Sequence, residues 1–252
     1  MGQNRAFIYG DLLFETVRTI DGVPQLAKFH AERVAKSAAL LEMELPTHWG
    51  ESFFKDLIYA HAPVGNKRVR LVISRFATGF YMPSANEVAF STEAWEYESK
   101  SRTIEKLGIY TASYKPCTFI SNLKCGNALV PVMASKFAKA KGFDDVLLLN
   151  EHGRIAEATS SNIFVVKNKT ILTPALREAP VEGVMRRWII ENAPKLGYVV
   201  NETELTIEQL KQADECFLTN AINGIVSVNN LLDKKFKNKV SINFQRLFEN
   251  EG

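Results

Sequence analysis

The chain has 252 residues, 46% of them hydrophobic and 23% charged, with a formal net charge of +3. That is enough apolar material for one large core or two smaller ones. Basic residues alternate with acids, as between Lys136 and Asp145, so no basic block marks a nucleic-acid groove. The longest apolar runs, such as the one inside Asp145 to Asn150, are far too short to span a bilayer.

Leu13 to Ile20 alternates as a strand that ends at an Asp21-Gly22 turn. Phe29 to Leu41 has apolar residues at helical spacing, and a second helix is expected over Trp49 to His61. Strands follow at Lys67 to Phe76 and Glu87 to Thr92. Glu96 to Arg102 is polar and aperiodic, which predicts a linker and two domains, 1–100 and 101–252. The second domain begins with a strand at Lys106 to Tyr114 and a helix from Ala128 to Ala140 stopped by Gly142. Strands at Asp145 to Asn150 and Arg154 to Lys167 flank a Glu151-His-Gly153 turn, and a further strand, Thr170 to Thr173, completes a meander. A helix from Gly183 to Leu196, a strand at Tyr198 to Glu202, a helix at Ile207 to Gln212, a strand at Glu215 to Thr219 and a last helix near Phe244 close the chain. The three cysteines, Cys117, Cys125 and Cys216, form no Cys-x-x-Cys pair and follow no signal peptide, which predicts a reducing, cytoplasmic setting.

Two residues carry the chemistry. Lys124 sits among small and apolar residues, Ile120-Ser-Asn-Leu-Lys-Cys-Gly-Asn127, where burial would free its amine as a nucleophile. Glu157 lies in an apolar strand context, and alternation places it on one face with Ile155 and Thr159. A buried carboxylate needs a cation or a proton, and a pyridinium ring is one such cation. The hydroxyl and amide residues Ser160, Ser161 and Asn162 follow it. Gly183, Val184 and Met185 open a helix whose free amides and dipole suit a phosphate, and Arg33 offers a guanidinium. No metal-ligand spacing is present.

These segments, in order, resemble the class IV aminotransferase family of pyridoxal-phosphate enzymes, which includes branched-chain and D-amino acid aminotransferases and aminodeoxychorismate lyases. The resemblance runs through Tyr9-Gly-Asp-Leu-Leu-Phe-Glu-Thr16, Phe29-His-Ala-Glu-Arg33, Lys124, Glu157 to Phe164, Gly183 to Arg186 and Ala213 to Ala221. It implies a small α+β N-terminal domain and a larger C-terminal domain with a mixed, partly barrel-like sheet, the cofactor in the cleft between them, and a homodimer. It also implies roles. Lys124 would link to pyridoxal 5'-phosphate and shuttle protons, and Glu157 would pair with the pyridine nitrogen. Arg33, the backbone at Val184 and Met185, and the Asn220-Ala221 turn would hold the phosphate. Ser160, Ser161 and Asn162 would line the ring's polar edge, and Phe14, Glu15 and Thr16 would border the substrate.

Gly183-Val-Met-Arg186 and Asn220-Ala221 are similar to the lyase branch, which acts on 4-amino-4-deoxychorismate; a transaminase uses the same residues, and a non-catalytic relative would be expected to lose Lys124 or Glu157. The loop Gly79-Phe80-Tyr81 departs from the lyase pattern because it has no arginine for a substrate carboxylate. Arg75 or Arg70 is expected to take that part. Met185 departs from the transaminase pattern by carrying no hydroxyl, and the strand pair that usually precedes Asn4 is absent.

Overall fold

The computed structural model describes residues 5–98 and 102–251. It forms two compact units: Met1–Ser99 together with Leu123–Asn127, and Lys100–Asn122 together with Ala128–Gly252. A division at 100/101 leaves Leu123–Asn127 in the second unit, but main-chain pairing places that segment in the first. Part of the expected linker, residues 99–101, lies outside the described residues.

The first unit comprises α1 (Arg5–Tyr9), β1 (Leu12–Ile20), β2 (Val23–Pro24), α2 (Ala27–Leu40), α3 (Glu51–Tyr59), β3 (Lys67–Arg75) and β4 (Val88–Glu96). Its antiparallel sheet has the order β2-β1-β3-β4. The β1–β2 turn depends on Gly22, at φ 81°, where a Cβ would lie 2.4 Å from the Pro63 carbonyl oxygen. Period-two alternation gives the sheet two unlike faces. Leu13, Val17, Val69, Leu71 and Ile73 are buried in one core with Ala31 and Val34 of α2 and Phe54 and Ile58 of α3. Phe14 and Thr16 of β1, opposite Val72 and Arg70 of β3, belong to the other face. β4 continues past the expected Thr92 because it pairs with the whole of β3, from Arg75↔Val88 to Lys67↔Glu96.

The second unit comprises β5 (Thr103–Ile104), β6 (Leu107–Lys115), α4 (Leu129–Lys141), β7 (Asp145–Asn150), β8 (Ile155–Ala158), β9 (Asn162–Lys167), β10 (Thr170–Pro174), α5 (Val184–Asn192), β11 (Val199–Thr203), α6 (Ile207–Lys211), β12 (Glu215–Asn220), β13 (Gly224–Val228), β14 (Asn230–Leu231), β15 (Lys234–Lys235) and α7 (Lys239–Glu251). Two mixed sheets, β11-β10-β9-β12-β13-β5 and β15-β14-β6-β7-β8, supply one shared core. Leu147, Leu149 and Ile155 from the second sheet meet Ile163, Val165, Leu218 and Val226 from the first, which gives the sheet pair its partly barrel-like form. Gly142 ends α4 in the left-handed conformation, at φ 71°. Thr206 and Gln209 form a reciprocal capping box on α6.

The strand expected over Arg154 to Lys167 is two strands. Thr159 to Ser161 form a bend between β8 and β9, closed by the Ala158 amide donating to the Ser161 carbonyl at 2.8 Å. β8 also carries a bulge. Ala158 pairs with Leu147 and Glu157 with Leu148, but Ile155 pairs with Leu149, so Ala156 is the extra residue. Glu157 therefore shares the face of Leu148, and Ile155 is turned to the opposite face with Leu147 and Leu149. The expectation that Glu157 and Ile155 share a face is corrected by that single inserted residue. Thr159 lies beyond the strand and is occupied with Asp145, to which its hydroxyl donates at 2.6 Å and its amide at 3.2 Å.

Candidate active site

The residues expected at the site fall into two sets, one on each unit. Lys124, Phe14, Thr16, Arg33 and Arg75 belong to the first; Glu157, Ser160, Ser161, Asn162, Gly183, Val184, Met185, Asn220 and Ala221 belong to the second.

In the first unit, the segment around Lys124 is laid along β1. The Phe14 amide donates to the Lys124 carbonyl at 2.9 Å, the Gly126 amide donates to the Leu12 carbonyl at 3.2 Å, and Cys125 bridges Leu13. Close approach requires glycine, since a Cβ on Gly126 would sit 2.9 Å from the Gly10 carbonyl oxygen. The Lys124 ammonium lies 4.2 Å from the centre of the Phe14 ring. Lys124 is thus on the sheet face that carries Phe14 and Thr16.

Beneath the sheet lies a buried charged network. Arg33 donates through Nε to Glu15 Oε1 at 2.8 Å and through Nη2 to Glu15 Oε2. His30 Nδ1 lies 2.7 Å from the same Oε2. Burial pushes the Glu15 carboxyl upward, but Arg33 and His30 outweigh it and bring the pKa down to about 2. Burial lowers the His30 pKa more than Glu15 raises it, so His30 is neutral at pH 7 and Nδ1–H donates to Glu15. Glu15 thereby fixes the plane of the Arg33 guanidinium.

The two arginines left open by the sequence differ. Arg75 donates to Asp11 Oδ2 at 3.1 Å, to the carbonyls of Glu42 at 3.1 Å and Leu41 at 2.7 Å, and to Asn86 Oδ1. It ties the sheet to the loops. Arg70, opposite Thr16, has its guanidinium carbon 5.4 Å from the centre of the Trp95 ring, and its buried Nε has no hydrogen-bond partner. The Gly79-Phe80-Tyr81 loop is held by Arg5, which donates to the carbonyls of all three residues and to Asp11.

In the second unit, Glu157, Ser161, Asn162, Gly183 and Asn220 are linked by contacts, while Ser160 is exposed in the bend between β8 and β9. Glu157 is buried; its Oε2 accepts the Val181 amide at 2.9 Å and its Oε1 pairs with the Lys115 ammonium. Asn162 Nδ2 donates to the Val181 carbonyl at 2.8 Å. Asn220 donates to the Ser161 hydroxyl at 2.9 Å and accepts the amides of Ile222 at 3.0 Å and Asn223 at 2.8 Å, which fixes the turn after β12. Gly183 has no room for a side chain, because a Cβ would fall 1.9 Å from Asn162 Oδ1. It precedes α5, whose N-terminus has no side-chain cap, and Val184 and Met185 are buried in the first turn. The Thr219 hydroxyl, at the end of β12 opposite Asn162, is buried without a partner.

Sequence reasoning missed Lys115, which lies 42 residues from Glu157 and has no local signal. It also missed a cation-capable cluster in which Cys117, Glu151 and His152 bring ligand atoms within 4.8 Å of one another. No spacing motif marks that group.

The family model for "Amino-transferase class IV" matches residues 12–231. The chain belongs to this family. It is 30% identical over 249 residues, covering 94% of this chain and 84% of the relative, to a Methanocaldococcus jannaschii protein named "Putative branched-chain-amino-acid aminotransferase". It is 28% identical over 235 residues, covering 90% and 86%, to the aminodeoxychorismate lyase of Vibrio harveyi. Among solved structures, an aminotransferase from Brucella abortus bound to pyridoxal phosphate superposes with a TM-score of 0.87 at 24% identity, covering 100% of this chain and 92% of that one. The chain is accordingly a pyridoxal-phosphate-dependent enzyme of the class IV fold.

Its residues fit that cofactor. An uncapped helix start, a glycine with no space for a Cβ and an orphaned buried hydroxyl suit a phosphate, and a buried carboxylate suits a ring nitrogen that carries a proton.

Proposed function

We propose that the enzyme is a lyase that converts 4-amino-4-deoxychorismate into 4-aminobenzoate and pyruvate, a step toward folate precursors. The observation that carries this reading is the turn after β12. Asn220 organises it through its own amide side chain, and Ala221 follows, the Asn-Ala form of the lyase branch. Buried Met185 at the start of α5 belongs to the same pattern.

Pyridoxal phosphate, when bound, supplies an electron sink for the charge left on the amine-bearing carbon. Lys124 takes the proton from that carbon and holds it on Nζ. Glu157 holds the proton on the ring nitrogen. Arg33, set by Glu15, the amides of Val184 and Met185 and the turn at Asn220 and Ala221 bind the phosphate, while Ser160, Ser161 and Asn162 line the ring edge. Arg70, with its unpartnered Nε, binds a substrate carboxylate, and Phe14 and Thr16 border the substrate; we assign this carboxylate role to Arg70 in place of Arg75, whose donors tie the sheet to the loops. The electron pair left at the amine-bearing carbon of the substrate's own ring expels the enolpyruvyl group from the neighbouring carbon, breaking its C–O bond. The ring becomes aromatic, and the departing group gains a proton to become pyruvate. No other reactant is consumed.

The M. jannaschii relative's name supports a second reading, transfer of the amino group from a branched-chain amino acid to a keto acid; a D-amino acid is the other donor that the family resemblance allows. The two are separated by products. Holoenzyme given 4-amino-4-deoxychorismate, generated in place, is expected to release 4-aminobenzoate and pyruvate in equal amounts. Amino-group transfer to a keto acid with no 4-aminobenzoate would overturn the lyase reading. We also assign a homodimer, supported by exposed Leu129, Val132 and Met133 at helical spacing on α4. Among the described residues no helix is long and apolar enough to cross a membrane, and we place the enzyme in the cytoplasm.

A further inference from the structure

We propose that Lys115 is a positioning residue for Glu157, setting the direction and the charge balance of the carboxylate that faces the cofactor ring. The inference rests on the reading of Glu157 as the partner of the ring nitrogen.

Two strand irregularities bring the pair together. β6 and β8 flank β7. On the β8 side the bulge at Ala156 turns Glu157 to the face of Leu148. On the β6 side the register jumps from Tyr110↔Leu148 to Lys115↔Asn150, five residues of β6 against two of β7. Asn150 shares the face of Leu148, since side chains two residues apart on a strand point to the same side. Both distortions therefore deliver their residue to one face of β7, and such distortions concentrate where a strand must re-aim a side chain.

The environment makes the contact consequential. Glu157 and Lys115 have side chains only 8% and 12% exposed, so neither charge is solvated in full. A buried carboxylate left alone is costly, and removing one partner of such a pair leaves the other uncompensated. The Val181 amide holds Oε2 and Lys115 holds Oε1, so the carboxylate cannot rotate without losing both. Each oxygen keeps a second lone pair, and a protonated ring nitrogen can use one. Lys115 is itself anchored, because its carbonyl accepts the Glu151 amide at 3.2 Å.

The test titrates cofactor-free protein with pyridoxal phosphate, reading visible absorbance for the dissociation constant and its pH profile. Lys115→Met is expected to weaken binding about tenfold and to shift the pH profile of the absorbance, with Lys115→Arg keeping most of the affinity. Glu157→Gln is expected to weaken binding as well, and Lys115→Met added to it should cost nothing more. If Glu157→Gln weakens binding while Lys115→Met binds as the parent does, the role of Lys115 is overturned and the reading of Glu157 stands. Losses that add in the double variant also overturn it, because Lys115 then acts elsewhere. If Glu157→Gln leaves affinity and spectrum unchanged, the reading of Glu157 fails and takes the inference with it. Circular dichroism of the cofactor-free variants monitors folding, and Lys115→Gln replaces Lys115→Met in the cycle if that variant does not fold.

Discussion

Each unit buries a carboxylate, and the two are handled differently. Glu15 in the first unit is matched by two partners from α2, Arg33 and His30, in a network with 2% exposure at its centre. Glu157 in the second has one cation, Lys115, and one backbone amide, Val181. Glu15 is enclosed within its own unit and serves to hold an arginine. Glu157 is held on two sides with lone pairs to spare, as its proposed pairing with the ring nitrogen requires. A saturated network contributes rigidity, whereas an incompletely used carboxylate leaves capacity for a ligand.

That contrast can be broken by mutation. The largest effect is expected from Glu15→Ala, which leaves Arg33 buried without its counter-charge and should cost about 3–5 kcal/mol, read by denaturant unfolding of the cofactor-free protein. A cost comparable to that of removing an exposed ion pair such as Arg187–Glu191, about 0.5 kcal/mol, would show the network to be dispensable.

Acid draws on the same network. The His30 pKa is lowered by burial, so folding excludes a proton that the unfolded chain binds below about pH 6.5. The Glu15 pKa, about 2 in the folded state against 4.5 unperturbed, acts in the same direction. Both contributions are present above the unfolded values and are lost as the pH falls, first through the His30 range and then between 4.5 and about 2. Unfolding monitored by tryptophan fluorescence between pH 8 and 4 should show stability declining toward acid, with the His30→Gln variant losing the part that begins near pH 6.5. A flat profile in the parent would contradict the neutral buried histidine.

Gly183→Ala is expected to have the smallest effect on stability, about 1–3 kcal/mol from overpacking against Asn162. It should act more strongly on pyridoxal-phosphate affinity, since Asn162 and the start of α5 must move apart. Equal cofactor affinity in parent and variant, measured by absorbance titration, would remove Gly183 from the phosphate site.

Much of the fold was legible because its signals are local. Alternation in Leu13 to Ile20, the Asp21-Gly22 turn and the Gly142 stop each act over a few residues, and each produced the expected element or its end. The candidate site was legible as an ordered set of motifs. What alternation could not supply was the bulge at Ala156: nothing in Ile155-Ala-Glu157 marks an inserted residue, and one insertion reverses every side chain beyond it. Arg75 and Arg70 were equivalent as letters five positions apart on one strand. Odd and even positions separate them, and only packing assigned one to the loops and left the other with an open donor.

The sequence by itself determined the family and the cofactor class and put forward Lys124 and Glu157 as the candidate amine and carboxylate, because each is written as a short run of residue types in a fixed order. Tertiary structure alone decided where those groups lie and what attends them. Lys124 joined the first unit through main-chain bonds to β1, more than 100 residues earlier in the chain, and Lys115 reached Glu157 across β7 through two strand distortions. Hydrogen bonds and charge act through space, so contacts between distant segments leave no mark in the order of the letters.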